Sequence, residues 1–163
     1  MIFVFLLASF SFAESNEKVI DVNAYKNNIS DCVKNKDYAC ALSYFTKWLQ
    51  SDPRCIGCYL GSGILNYYLG NYQEAISFLN RTIEQSKITG AEKGSYVGVA
   101  YFSLGIVYDK LGKQERATEE LTNAIRYFED NGDWKMVFFL ETMLEKIKRD
   151  SGNNNPSGTS SKK

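Results

Sequence analysis

The chain contains no histidine. That absence removes the imidazole general base, the His-based catalytic triad and every histidine metal ligand together. Serine and cysteine hydrolases of the usual kinds are therefore not expected. Proline is scarce, with 2 in 163 residues, and no Gly/Pro-rich run precedes the C-terminal tail, which leans helical. Neither sign of charge is in excess, because 19 basic residues cancel 19 acidic ones. A neutral chain has no general electrostatic footprint for nucleic acid or anionic membrane. Neither a P-loop nor a dinucleotide-binding glycine pattern is present, and no cofactor is expected.

What the chain does have is enough apolar content, 44% of its residues, to build the core of one ordinary domain. Its N-terminus, "MIFVFLLASFSFAES", is an apolar run ending in the small-x-small triplet Ser11-Phe12-Ala13. This is the pattern of a secretory signal peptide over residues 1–13, although the usual charged n-region is missing. A membrane span needs ~20 apolar residues, more than this run supplies. The expectation is export, to a bacterial periplasm or the extracellular space; the alternative is a buried first helix. An exported chain with an even count of four cysteines fits disulfide bonding.

The interior repeats itself. "DYACALSYF" (37–45) and "NYQEAISFL" (71–79) align at an offset of about 34 residues, matching Tyr38 with Tyr72, Ala41 with Ala75 and Phe45 with Leu79. A third copy, "KQERATEEL" (113–121), supplies Ala117 and Leu121. Within each segment apolar residues recur at i, i+3, i+4 and i+7, the period of a helix. Gly63 and Gly105 fall inside such helices. Glycine there costs ~1 kcal/mol against alanine, which makes sense if another helix must approach closely, with the small Ala75 and Ala117 opposite. Asn35-Lys36-Asp37, Gly70-Asn71 and Gly112-Lys113 read as tight turns of helix hairpins.

Upstream of the third copy lie Tyr101, Leu104, Gly105 and Tyr108, followed by Gly112, Ala117, Leu121 and Ala124. An aromatic, Leu-Gly and Tyr on one helix, then Ala with a large apolar residue on the next, resembles the tetratricopeptide repeat (TPR). The second copy matches with Tyr59, Gly63, Gly70, Tyr72, Ala75 and Leu79, but has Ser62 and Asn66 in place of Leu and Tyr. The first is weaker on its first helix, where Tyr25 fits and Ile29 replaces glycine. The resemblance covers about 22–130. It implies an all-α, TPR-like α-α superhelix of antiparallel hairpins with about seven helices, near 22–35, 38–51, 56–69, 72–88, 91–111, 114–130 and 133–149. The repeats are then 22–55, 56–90 and 91–130. The extra residues between copies two and three are expected to lengthen the helices around Gly90 by about a turn each. Residues 131–150 form a capping helix N-capped by Asp133, with Trp134 and Val137 echoing a fourth repeat and Phe138 where the glycine should be. Residues 151–163 read as a polar disordered tail.

In such hairpins Cys32 and Cys40 share one turn, and Cys55 and Cys58 share the turn at the other end. Helix separates Cys40 from Cys55 by about 20 Å at 1.5 Å per residue, whereas a disulfide needs Cα atoms within ~7 Å. One zinc ion cannot gather all four, so no metal site is expected, and the surviving pairing is Cys32–Cys40 with Cys55–Cys58. A haem attachment site would need a histidine after Cys58, where Tyr59 stands. A redox-active dithiol at a helix N-terminus remains the alternative to a structural staple.

TPR-like stacks present a groove lined by the first helix of each repeat. The resemblance places Lys26, Leu60, Ile64, Tyr67, Tyr68, Phe102 and Ile106 on it, and implies an apolar peptide or amphipathic helix of a partner protein as ligand. Family members that bind chaperones hold a C-terminal carboxylate with a clamp of Lys, Asn and Arg. Here only Lys26 suits that role, because Ser30, Gly61, Val99 and Ser103 occupy the other positions; a carboxylate-clamp ligand is not expected. The reading is a non-enzymatic interaction module with no catalytic residues. The alternatives are a thiol-disulfide redox adaptor and a self-associating homo-oligomer.

Overall fold

The computed structural model describes residues 21–92 and 94–153. The signal peptide expected over 1–13 and most of the expected tail lie outside them. Among the described residues there are seven helices and no strand: α1 (Val22–Lys34), α2 (Tyr38–Ser51), α3 (Ile56–Tyr68), α4 (Tyr72–Ile88), α5 (Tyr96–Lys110), α6 (Gln114–Asp130) and α7 (Trp134–Asn153). Each packs on the helices before and after it in sequence, and α3 also reaches α5.

Carboxylates start several helices by taking an N–H that the helix leaves without an internal acceptor. Asp21 accepts from the Ala24 N–H (3.0 Å), Asp37 from Cys40 (2.9 Å) and Asp133 from Met136 (3.2 Å). The helices end alike. At α3 the Asn71 N–H donates to the Asn66 carbonyl (2.9 Å) and the Gly70 N–H to Tyr67 (3.0 Å), with Gly70 at φ +81°. The same pair of bonds closes α1, but there the residue with positive φ is Lys36, at +56°. A side chain in that conformation costs about 1–2 kcal/mol, a strain that glycine avoids. Lys36→Gly should therefore raise stability by roughly 0.5–1 kcal/mol after the added unfolded-state entropy of glycine; a urea titration of the two proteins checks this.

Within each hairpin the helices meet closely at glycine. A Cβ on Gly63 would lie 2.7 Å from Leu79 Cγ and 3.3 Å from the Ala75 carbonyl oxygen. On Gly105 it would lie 2.7 Å from Leu121 Cγ and 3.4 Å from the Ala117 oxygen. The close approach expected at these glycines is present, and the leucine is met before the alanine. Ala75, Leu79, Leu104, Ala117 and Leu121 are at most 1% exposed. The last helix lays Val137, Leu140 and Ile147 onto Leu121, Ala124, Ile125 and Phe128, so α7 covers the end of the apolar core, as a cap does. Its opposite side leaves Trp134 and Phe138 exposed.

Two boundaries depart from expectation. The fifth helix begins at Tyr96 rather than near 91, because the extra residues are divided between α4, at 17 residues against 14 in α2, and a longer connection. Gly90, at φ +69°, ends α4. The Tyr127 hydroxyl of α6 then pins the connection by donating to the Gly94 carbonyl (2.7 Å). At the C-terminus α7 runs to Asn153, a few residues past its expected end.

A candidate interaction groove and a second cleft

The odd-numbered helices α3 and α5 run side by side and leave a cavity of about 220 Å³ between them. Ile64, Tyr67 and Tyr68 from α3 face Phe102 and Ile106 from α5 across it, over a floor that includes Leu79. No charged side chain lines it. Rings extend one wall: Tyr68 stacks on Tyr38 of α2 (centroids 5.0 Å apart), and Tyr67 lies 5.5 Å from Tyr68 and 5.9 Å from Tyr72. Tyr68 stays 59% exposed, its ring available to a ligand.

Five of the expected groove residues thus share one cavity, and two do not. Leu60 is buried in the core formed with Leu79, Ala100 and Leu104, because α5 closes over this end of α3. Lys26 stands in a separate cleft with Ser30. Phe139 of α7 was not foreseen. Its ring meets Phe102 edge-on at 5.9 Å and remains half exposed. The signal was present: with Trp134 aligned to Tyr101, Phe139 takes the register of Ile106, and hence of Ile64.

The second cleft, of about 640 Å³, lies at the other end of the first hairpin. Trp48, Ile56 and Tyr96 give it apolar walls, Lys26 and Arg54 its positive charge, and Cys55 and Cys58 also line it. The cysteines pair as expected, Cys32 with Cys40 (Cα–Cα 5.8 Å) and Cys55 with Cys58 (5.2 Å). The first ties α1 to α2. The second joins the N-cap of α3 to its own first turn.

Titration behaviour is perturbed away from both hollows, on the α5–α6 seam. Burial raises the pKa of the Tyr101 phenol, and the Glu120 carboxylate adds to the shift. Burial also raises that of Glu120, against a hydrogen bond from Asn123 that lowers it. Among the described residues, no group of three or more Cys, Asp or Glu side chains is placed to hold a metal ion. No helix there is long and apolar enough to cross a membrane.

Residues 56–130 match the family model of the tetratricopeptide repeat. Residues 56–130 carry tetratricopeptide repeats. It is 30% identical over 123 residues to a TPR repeat-containing protein of Methanocaldococcus jannaschii, an alignment that takes 72% of this chain and 20% of that one. The chain thus spans about a fifth of that relative's length. Solved TPR domains share the fold. The TPR2B domain of yeast Sti1, in a complex with pHsp70, superposes with a TM-score of 0.68 at 15% identity, over 78% of this chain and 96% of that one. The first TPR domain of Spaghetti (RPAP3), bound to the HSP90 peptide SRMEEVD, gives 0.64 at 18% identity, over 80% and 92%. The N-terminal domain of stress-induced protein-1 from C. elegans gives 0.64 at 18%, over 77% and 93%. The α3–α4 and α5–α6 hairpins fall inside the matched segment, and α7 follows it in the manner of a further first helix.

Proposed function

We propose that this TPR protein is an interaction module of the cell envelope, which binds an apolar peptide or amphipathic helix of a partner non-enzymatically between α3 and α5. The observation that carries the reading is the uncharged cavity walled by Ile64, Tyr67, Tyr68, Phe102 and Ile106. Its volume, about 220 Å³, exceeds that of an engineered ~150 Å³ cavity that holds benzene. It accommodates one large apolar side chain, and the exposed rings of Tyr68 and Phe139 provide flanking contacts. In this reading the ligand is not a carboxylate-terminated chaperone peptide; the reading is supported by Lys26 standing in the other cleft and by Val99 and Ser103 lining the cavity.

A displayed peptide library selected on the folded protein tests this. Enriched sequences should carry large apolar residues at i and i+3 or i+4, and should be lost on a Tyr67→Glu, Phe102→Glu variant. Equal enrichment on both proteins would remove the groove from the function. Export supplies the location in this reading. Protein recovered from its own cells should begin at Glu14 by N-terminal sequencing; an intact Met1 would place the chain elsewhere.

A further inference from the structure

The second cleft gathers features that the groove reading does not use. Cys55 holds the N-cap position of α3 and is partly exposed, whereas Cys58, in the first turn, is wholly buried. No side chain caps this helix, unlike α1 and α2, so the positive end of its backbone dipoles is left beside the Cys55 sulphur. Lys26 and Arg54 line the same cleft, and no acidic side chain does. The carboxylates nearest in sequence are engaged elsewhere: Asp21 with the Ala24 N–H and Asp52 with the Arg54 N–H, both at 3.0 Å, and Asp31 with the Lys34 ammonium at 3.2 Å. Asp52 also lies 3.9 Å from Arg54 Nε and tempers its charge. Lys26 has no ion pair among the described residues.

We infer that this cleft is a thiol–disulfide exchange site, that Cys55 is its reactive sulphur, and that it selects anionic reactants carrying an apolar ring. Exchange needs in-line approach to a sulphur, and burial of Cys58 leaves only Cys55 open to it. A thiolate entering the cleft forms a bond to Cys55 Sγ. The Cys55–Cys58 bond breaks, and its electron pair departs on Cys58, which takes a proton from water. In the opposite direction, reduced Cys55 attacks an incoming disulfide and expels one thiolate. Cys58 then attacks Cys55 and expels the second. The dithiol is oxidised, and the incoming disulfide is reduced to two thiols. Lys26 and Arg54 attract the anion, and Trp48 and Tyr96 flank its ring. The site is independent of the groove between α3 and α5.

The probe is the dianionic aromatic disulfide dithiobis(nitrobenzoate), compared with neutral hydroxyethyl disulfide. In a Cys58→Ser protein with Cys32–Cys40 intact, the ratio of the two labelling rates at Cys55 should be about tenfold higher folded than in urea, a modest case of electrostatic focusing. Adding Lys26→Gln and Arg54→Gln should remove most of that gain. Because Cys58→Ser could disturb α3, the wild-type chain provides a second measurement. After reduction of Cys55–Cys58 alone, with Cys32–Cys40 intact, it should re-form that bond with the aromatic reagent, releasing two thionitrobenzoates. The Lys26→Gln, Arg54→Gln chain should do so about tenfold more slowly while keeping its rate with the neutral reagent. A rate ratio indifferent to folding or to the two cations, or a Cys55→Ser protein whose Cys58 is labelled in the fold as fast as Cys55 is in the Cys58→Ser protein, would overturn the inference.

Discussion

Leu121→Ala should destabilise the chain by about 2–5 kcal/mol, the range for emptying a fully buried leucine site, and the loss should depend on Gly105. Leu121 is wholly buried, and its Cγ is the first atom a Cβ on Gly105 would strike, at 2.7 Å. Gly105→Ala alone combines two opposed effects. Alanine is worth ~1 kcal/mol more than glycine inside a helix, and overpacking costs ~1–3 kcal/mol, so a net loss of about 1 kcal/mol is expected. In the Leu121→Ala background the obstructing side chain is gone. The new methyl enters the space it leaves, and Gly105→Ala should become a gain of about 1 kcal/mol, giving a coupling of ~2 kcal/mol. Urea unfolding of the four proteins, followed by far-ultraviolet circular dichroism, measures it. Additive losses would mean that Gly105 is retained for some reason other than the closeness of α5 and α6.

Those glycines also show how far the sequence could be read. A glycine in an apolar-periodic segment carries a local cost, and only close helix approach offsets it; Gly63 and Gly105 therefore announced the hairpins before any contact was seen. Turn residues did the same for the helix ends. The connection before α5 was less legible. Periodicity marks where a helix can exist, but it does not show how an eight-residue surplus divides between helix and loop. That division rests on a tertiary contact, the Tyr127 hydroxyl on Gly94, which no local pattern encodes. The groove was legible by register and blurred by depth. Position in the repeat identified Ile64, Tyr67, Tyr68, Phe102 and Ile106, but the same register included Leu60, which α5 buries. Whether a position in line with the groove reaches its surface depends on how the next helix is shifted along it. Phe139 was overlooked for a different reason: α7 was read for its capping face, although its aromatic register continued the repeat.

Placing two carboxylates in the groove should weaken binding of a library-selected apolar peptide at least a hundredfold, about 2.7 kcal/mol. Tyr67 and Phe102 face each other across the cavity, and neither is fully buried. In the Tyr67→Glu, Phe102→Glu protein the ligand would lose the apolar surface of two rings, at ~25 cal/mol per Å². It would also have to strip water from two charges with no cation lining the cavity. The loss should appear mainly in the dissociation rate, since the groove carries no charge to steer the encounter in the parent protein. Fold must be controlled separately, because Tyr67 also packs against the core that contains Leu79 and Leu104. Tyr68→Ala provides that control. Its ring is 59% exposed but stacks on Tyr38, so the change should cost only about 0.5–1.5 kcal/mol of stability while still weakening the peptide several-fold. Charge reversal at Arg116, whose partner Glu119 lies on the exposed side of α6, should change neither. Measured by isothermal titration calorimetry, a groove site predicts that affinity follows Tyr67, Tyr68 and Phe102 and ignores Arg116. If the peptide bound the Tyr67→Glu, Phe102→Glu protein as tightly as the parent, its site would lie outside the cavity between α3 and α5.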